Sequence, residues 1–406
     1  MNAASSRLPL RSSATMVALG TVGAYITVVL GVIVPEWIQS GIADSTANFI
    51  VSSEKAGMAL SALGLTAVIQ RWDRRKLGVL FLLGLVVTNL ASAHIASAGG
   101  LFPLRFLCGV CEGGVIALMT AAAMDAGTAD RTFGIYLTTT LLLSVLLMPS
   151  VAMSGIFNIF GAMTGETGLP RFFYTMAIVS LLVVPFMRFF PASRGEVSAA
   201  AEGTTQAASE PEAGHTMWKY LWPALIATAL FEACIMAIWN NMIFTATSAG
   251  YEQEAVLSIL TSTLLIGIPG GLAAAVLADR WGRALPLTAG VGAMLLSLVL
   301  LIAVPGGVPF AVIGCLFALG WFFTLPYFVG AVAALDTTGK AATLSIAFQT
   351  GGLMAGPLLA GAILGATSNN YAVLPYVGAG LLVACLVLVL PTVSQRAQQA
   401  ALDSAA

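Results

Sequence analysis

Three ionisable side chains stand in stretches that are otherwise almost wholly apolar: Arg105 and Glu112 within 101–124, and Glu232 near the middle of 218–246. A charged group in hydrocarbon is energetically costly, so each is a functional candidate by default. Arg105 and Glu112 lie two helical turns apart on one face. Burial favours a neutral acid and a nearby guanidinium favours the carboxylate, so Glu112 is placed to take up and release a proton as its solvent exposure changes. The alternative is static: the pair ties its helix to its neighbours and moves nothing. Arg105 also presents a planar fork of donors suited to a substrate carboxylate. Thr228, Glu232 and Trp239 share one helical stripe, with Asn240 beside it. Proton coupling is therefore expected of Glu112 and Glu232, and substrate binding of Arg105 and Asn240.

Among neutral and aromatic side chains, Tyr25, Tyr136, Trp321, Tyr327 and Gln349 are the candidates for lining a cavity. Ser345, Gln349, Gly352 and Gly356 recur at helical spacing and mark one small or polar face. Glu54 and Lys55 follow Ser52 and Ser53 where a span is expected to begin, and are read as an ordinary cap and acidic first turn. Glu36 and Trp37 read as an interfacial anchor. Cys108, Cys111, Cys234, Cys315 and Cys385 all fall in apolar segments and are read as packing residues without redox chemistry.

What must position these groups is a membrane fold. Of 406 residues, 58% are hydrophobic and 9% charged, with mean hydropathy +0.94, against roughly 25% charged in soluble domains. Soluble enzymes and nucleic-acid-binding proteins are excluded, the latter also by a net charge of −1. A spanning helix takes about 20 apolar residues, and twelve such runs are expected near 14–34, 53–70, 77–97, 101–124, 133–158, 171–190, 218–246, 254–278, 284–304, 308–333, 341–365 and 371–391. The stretch from Ala192 to His215, rich in Ala, Ser, Thr and Glu, reads as a flexible linker. The expected fold is all-α and integral to the membrane, with twelve transmembrane helices in two pseudo-symmetric bundles, 1–191 and 217–406, joined by a cytoplasmic linker, 192–216. With the N-terminus inside, fourteen of the seventeen Lys and Arg residues fall on the cytoplasmic side, leaving Lys55, Arg105 and Arg171. That places both termini in the cytoplasm and the protein in the inner (cytoplasmic) membrane.

The halves echo one another. Arg71-Trp72-Asp73-Arg74 follows the second span, and Arg280-Trp281-Gly282-Arg283 follows the eighth, 209 residues later. The segment Ala278-Asp279-Arg280-Trp281-Gly282-Arg283 resembles the cytoplasmic loop signature of the major facilitator superfamily. Its counterpart after the second span is degraded, with Gln70 at the aspartate position and Asp73 at the glycine. Arg105-Phe106-Leu107-Cys108-Gly109 with Gly113 and Gly114 is similar to that superfamily's membrane arginine with trailing glycines. Gly352 with Gly356-Pro357 is a third point of likeness, although packing alone also accounts for it. Leu146-Leu147-Met148-Pro149-Ser150 has the proline but not the glycine of the drug-exporter signature. The resemblance covers the whole chain and implies two bundles rocking about a central site, with Asp279, Arg280, Gly282 and Arg283 gating the inner side.

No phosphate-binding loop exists, since Gly339-Lys340 is preceded by Ala334 and followed by Ala341 at the defining positions. No metalloprotease motif exists either, and His94 and His215 lie in unrelated segments, so neither ATP nor a metal is expected and no cofactor is implied. The expected function is secondary active transport of a small organic solute, proton-coupled, with uptake of an organic anion by symport favoured because of Arg105. That preference weakens if Glu112 already neutralises Arg105. The alternatives are a proton-coupled exporter of amphiphilic, drug-like compounds and, last, a transport-dead membrane receptor or assembly partner. The expected partners are the solute, protons and the bilayer, with no nucleic acid and no obligatory protein partner.

Overall fold

The computed structural model describes residues 9–68, 71–126, 129–147, 169–193, 217–277, 280–335 and 340–393, and every regular element among them is helical. In order these are α1 (Leu10–Gln39), α2 (Asp44–Val68), α3 (Arg74–His94), α4 (Ala98–Asp125), α5 (Ala129–Leu147) and α6 (Leu169–Val183), which runs into a 3-10 turn, Val184–Phe189. The second half contains α7 (Trp218–Trp239), α8 (Met242–Ser248), α9 (Gln253–Leu277), α10 (Ala284–Ala303), α11 (Phe310–Ala333), α12 (Lys340–Ala366) and α13 (Leu374–Val393). Each of the twelve apolar runs meets a helix. The later part of the fifth run, with Pro149, and most of the linker lie outside the described residues. Ten of the described helices are long and apolar enough to cross a membrane. The second and fifth are not among them: α2 carries Asp44, Glu54 and Lys55, and the described residues of α5 give an apolar stretch of Ile135–Ser144.

The helices divide into two compact units. One takes the described residues of 1–33, 53–147 and 155–210, and the other those of 34–52 and 211–406. In the first, α3 packs on α4 and α6. In the second, α7 lies against both α12 and α13, while α11 packs on α9 and α10.

Two boundaries differ from the sequence expectation, and both matter. At the end of α1 the chain turns at Gly41 with φ +99°, which a side chain resists. The Ile42 N–H closes back on the Trp37 carbonyl at 3.1 Å, and α2 then starts at Asp44, nine residues before the expected Ser53. In the seventh run the helix breaks at Asn240–Asn241, between α7 and α8. The two boundaries meet in the second unit: Asn48 Nδ2 donates to Asn241 Oδ1 at 3.0 Å, and Asn241 Nδ2 returns the bond to Asn48 Oδ1 at 2.9 Å. Tyr371 Oη also donates to Asp44 Oδ2, and Phe49 lies against Gly361.

Within the first unit, α2 and α4 cross with backbones touching. A methyl group at Gly57 would overlap the Phe106 carbonyl oxygen, one at Gly109 that of Glu54, and one at Gly113 that of Met58. The same device joins α12 to α7, where Gly352 and Gly356 face the Ala229 and Ala233 carbonyls. Between helices surrounded by lipid there is no water to expel, so close contact of small residues supplies much of the attraction. Gly109→Ala is expected to force α2 and α4 apart, costing about 1–3 kcal/mol as an overpacked contact, whereas Gly292→Ala, with open space around it, is expected to be neutral. Melting temperatures of the two purified variants check this; equal melting would mean that the crossing does not hold the unit together.

Candidate functional site

The close crossing of α2 on α4 brings four ionisable side chains together, all with no exposed surface: Glu54, Lys55, Arg105 and Glu112. Arg105 Nε donates to Glu54 Oε2 at 2.6 Å, and its Nη2 lies 2.5 Å from the same oxygen. Arg105 Nη1 donates to Asn89 Oδ1 on α3 at 3.1 Å. Lys55 Nζ donates to Glu54 Oε1 at 3.1 Å, Glu112 Oε2 at 3.3 Å and the Thr27 hydroxyl on α1 at 2.9 Å. Arg105 Nη2 is 3.8 Å from Glu112 Oε1, to which the Cys108 thiol also donates at 3.6 Å. The Arg105 guanidinium lies 5.5 Å from the Phe173 ring centre on α6, in cation–π range.

Two carboxylates face two cations, so the cluster is neutral when all four are ionised. Each ion gives up its hydration on burial, and in a low dielectric the mutual attraction offsets that only with good geometry. The geometry is uneven. Glu54 holds the short contacts to Arg105, while Glu112 sits at the longer distances, so Glu112 is the acid whose charge the cluster holds less firmly.

Arg105 and Glu112 are neighbours, as their spacing implies, but Glu54 and Lys55 are not the cap and first turn that the sequence suggests. They lie ten and eleven residues into α2, about 15 Å from its start. The adjacent serines do not cap: the Ser52 hydroxyl donates to the Asn48 carbonyl and the Ser53 hydroxyl to the Phe102 carbonyl of α4. Asn89 and Thr27 were also missed. A lone asparagine in the middle of an apolar run was the available signal for Asn89.

The Tyr25 hydroxyl is buried, feels the charges of Glu112 and Arg105, and has no hydrogen-bond partner among the described residues. Tyr136 is buried beside Gly20 of α1. In the second unit, Glu232 is 4% exposed and makes no hydrogen bond or ion pair among the described residues. Its Cβ adjoins Gly352. Neither amide atom of the wholly buried Asn240 has a partner among the described residues. Trp321 stacks on Phe322 with ring centres 4.5 Å apart and lies 5.8 Å from Trp239. The Gln349 amide donates to the Ser345 hydroxyl at 3.0 Å, and Tyr327 Oη donates to the Ala274 carbonyl at 3.4 Å.

In the loop after α9, Gly282 takes φ +67°, the tight turn that its position implied. Arg280 closes a turn on the Leu277 carbonyl, and Arg283 caps α10 and adjoins Gly330. Asp279 lies outside the described residues, as does Gln70. Asp73, in the degraded counterpart, caps α3 by accepting from the Arg75 and Lys76 backbone amides at 2.8 and 3.4 Å. Arg74 pairs with Asp125 at 2.7 Å, tying the start of α3 to the end of α4.

The sequence matches the Major Facilitator Superfamily over residues 15–350. A chloramphenicol resistance protein of Streptomyces lividans is 26% identical over 362 residues, 86% of this chain and 87% of its own. The fold is similar to the crystal structure of the nucleoside transporter NupG in a point-mutant form, with TM-score 0.68, 11% identity and coverage of 95% of this chain and 100% of the other. At that identity the likeness concerns the fold alone.

Removing one member of a buried charge cluster strands its partner. Glu54→Gln is expected to destabilise the folded protein by about 3–5 kcal/mol, and Lys55→Met in the same chain to recover part of the loss by restoring neutrality. Thermal melts of both single variants and the double variant form the test. Additive losses would mean that the four charges do not act as one network.

Proposed function

Because this chain belongs to the Major Facilitator Superfamily, it is a multi-pass secondary transporter of a small molecule and not an enzyme, and we propose that it is a proton-coupled exporter of amphiphilic, drug-like compounds. One observation carries this reading over organic-anion uptake: the guanidinium of Arg105 is already engaged by Glu54 and Asn89, with Glu112 3.8 Å away. An anionic substrate would have to displace a buried carboxylate to reach it. The unpaired acid is instead Glu232, which suits a solute that brings positive charge or hydrogen-bond donors. The chloramphenicol resistance protein of Streptomyces lividans supports the export reading, although the incomplete glycine-proline pattern around Pro149 stands against it.

In this proposal Glu112 is the proton carrier. Protonating it leaves Lys55 with Glu54 and Thr27, and Arg105 with Glu54 and Asn89, so the cluster rearranges without losing every partner of either cation. Glu232 and Asn240, with the Trp239 and Trp321 rings, contact the solute in the second unit. Tyr25, whose hydroxyl has no partner among the described residues, is the candidate of the first unit, and Tyr136 and Gln349 are secondary. Tyr327, already bonded to Ala274, acts through packing. The rest of the proposal is twelve spans in bundles 1–191 and 217–406, the linker and termini in the cytoplasm, and an inner gate at Asp279, Arg280, Gly282 and Arg283.

Purified protein in lipid vesicles, loaded with a fluorescent amphiphile, tests the proton step. Glu112→Gln is expected to abolish movement driven by a pH gradient while leaving substrate counterflow, since glutamine still hydrogen-bonds but exchanges no proton. Unchanged gradient-driven movement would remove Glu112 from the mechanism and leave Glu232 as its candidate. Glu232→Gln is expected to weaken binding of a cationic amphiphile by about tenfold or more, the worth of a charge-assisted hydrogen bond. Equal affinity in that variant would take Glu232 out of the binding site.

A further inference from the structure

Beside the first turn of α3 and the 3-10 end of α6 lies an open cleft of about 470 Å³, lined by Arg75, Lys76, Arg188, Val79, Val184 and Met187 together with Pro185. Three of its side chains are cationic and none is acidic. The floor is fixed by packing: the Met187 methyl lies against Gly78, where a side chain would collide with it. Arg75 Nε donates to the Phe190 carbonyl, which joins the two elements. Lys76 and Arg188 are exposed and form no ion pair among the described residues, and Arg188 lies 4.6 Å from the Phe189 ring centre. The acid nearest in sequence is Asp73, whose carboxylate accepts from the backbone amides of Arg75 and Lys76.

The surface leading away from the cleft is apolar. Leu80 and Leu83 follow Lys76 at one and two helical turns on α3, Leu182 and Phe186 are one turn apart on the neighbouring segment, and all four are exposed. In a spanning protein such a surface faces acyl chains. A cationic recess opening onto it matches one class of molecule in both its parts, a negatively charged headgroup with hydrocarbon attached.

We propose that the cleft between α3 and the 3-10 turn binds the phosphate of an anionic phospholipid, with its acyl chains along the face of Leu80, Leu83, Leu182 and Phe186. The proposal depends on the orientation given above only for the leaflet it assigns, the cytoplasmic one. It is independent of the proton and substrate assignments, since it touches none of those residues.

The test is lipid retention by the purified full-length chain, measured by mass spectrometry after exchange into mixed micelles of phosphatidylglycerol and phosphatidylcholine. The parent is expected to retain phosphatidylglycerol preferentially. A cation beside an anionic lipid is worth about fivefold, so Lys76→Gln with Arg188→Gln is expected to lower the preference by about 25-fold. Both positions are exposed, and the charge-conserving pair Lys76→Arg with Arg188→Lys is expected to keep it, separating charge from folding. Lys219→Gln, outside the cleft, is expected to change nothing. No preference in the parent, or an unchanged preference in the glutamine pair, overturns the proposal. Displacement of the lipid by inorganic phosphate at matching concentration also overturns it, because it would identify a site for free phosphate.

Discussion

The contact between the Arg105 guanidinium and the Glu54 carboxylate constrains much of the first unit. Two full charges at this depth are tolerable only at hydrogen-bonding distance, because the surrounding helices and lipid provide no water to solvate either one. Reaching that distance requires α2 and α4 to approach until their backbones touch, which is why Gly57, Gly109 and Gly113 sit at the crossing. The same approach brings Lys55 to Glu112, and Lys55 in turn holds α1 through Thr27. A sequence pattern that resembles a functional signature, arginine followed by glycines, thus has a plain mechanical content. The arginine supplies the charge and the glycines supply the room.

That content explains what was legible in the sequence and what was not. The membrane class, the helical runs and the Arg105–Glu112 pairing follow from composition and from the 3.6-residue period, both of which are local. Membership of Glu54 and Lys55 in the site was hidden by one misplaced boundary. An ionised pair depresses hydropathy, so the run is placed at 53–70 with the pair in its first turn, and nearby serines offer a ready account as caps. The true start at Asp44 depends on Gly41 closing α1 and on Asn48 meeting Asn241, a partner 193 residues away. The break after Trp239 was hidden for a different reason: Asn240-Asn241 interrupts the apolar pattern of 218–246, but no glycine or proline marks a helix end there. Asn89 required a tertiary contact to give it meaning.

The two units treat buried polarity in opposite ways. In the first, most of the charged atoms of the cluster have opposite-charge or hydrogen-bonding partners, and the arrangement responds to removal or addition of one proton because neutrality depends on it. In the second, Glu232 and Asn240 have no partners among the described residues, and the aromatic rings of Trp239, Trp321 and Phe322 stand near the helix break. A saturated network suits a group that changes charge, since its neighbours can redistribute. An unsaturated one suits recognition, since its bonding capacity is still available. The proposed assignment of proton handling to Glu112 and solute contact to Glu232 and Asn240 follows that contrast.

Asn240 and Asn241 give the contrast its sharpest form, because they are adjacent, chemically identical and both wholly buried. Asn241 fills its amide with the reciprocal bonds to Asn48 and a further bond to the Ala237 carbonyl at 2.9 Å. That accounts for asparagine there as a structural clasp at a helix break. Asn240 has the same side chain and no such use. A buried amide left without partners costs about 1–3 kcal/mol for each stranded group, and replacement by an apolar residue of similar size would avoid that cost. Irregular backbone at membrane depth is tolerated where protein or a cavity surrounds it, and Asn241 already satisfies the demands of the break. Among the described residues Asn240 finds no partner, and that unspent bonding capacity is what supports its proposed contact with the solute.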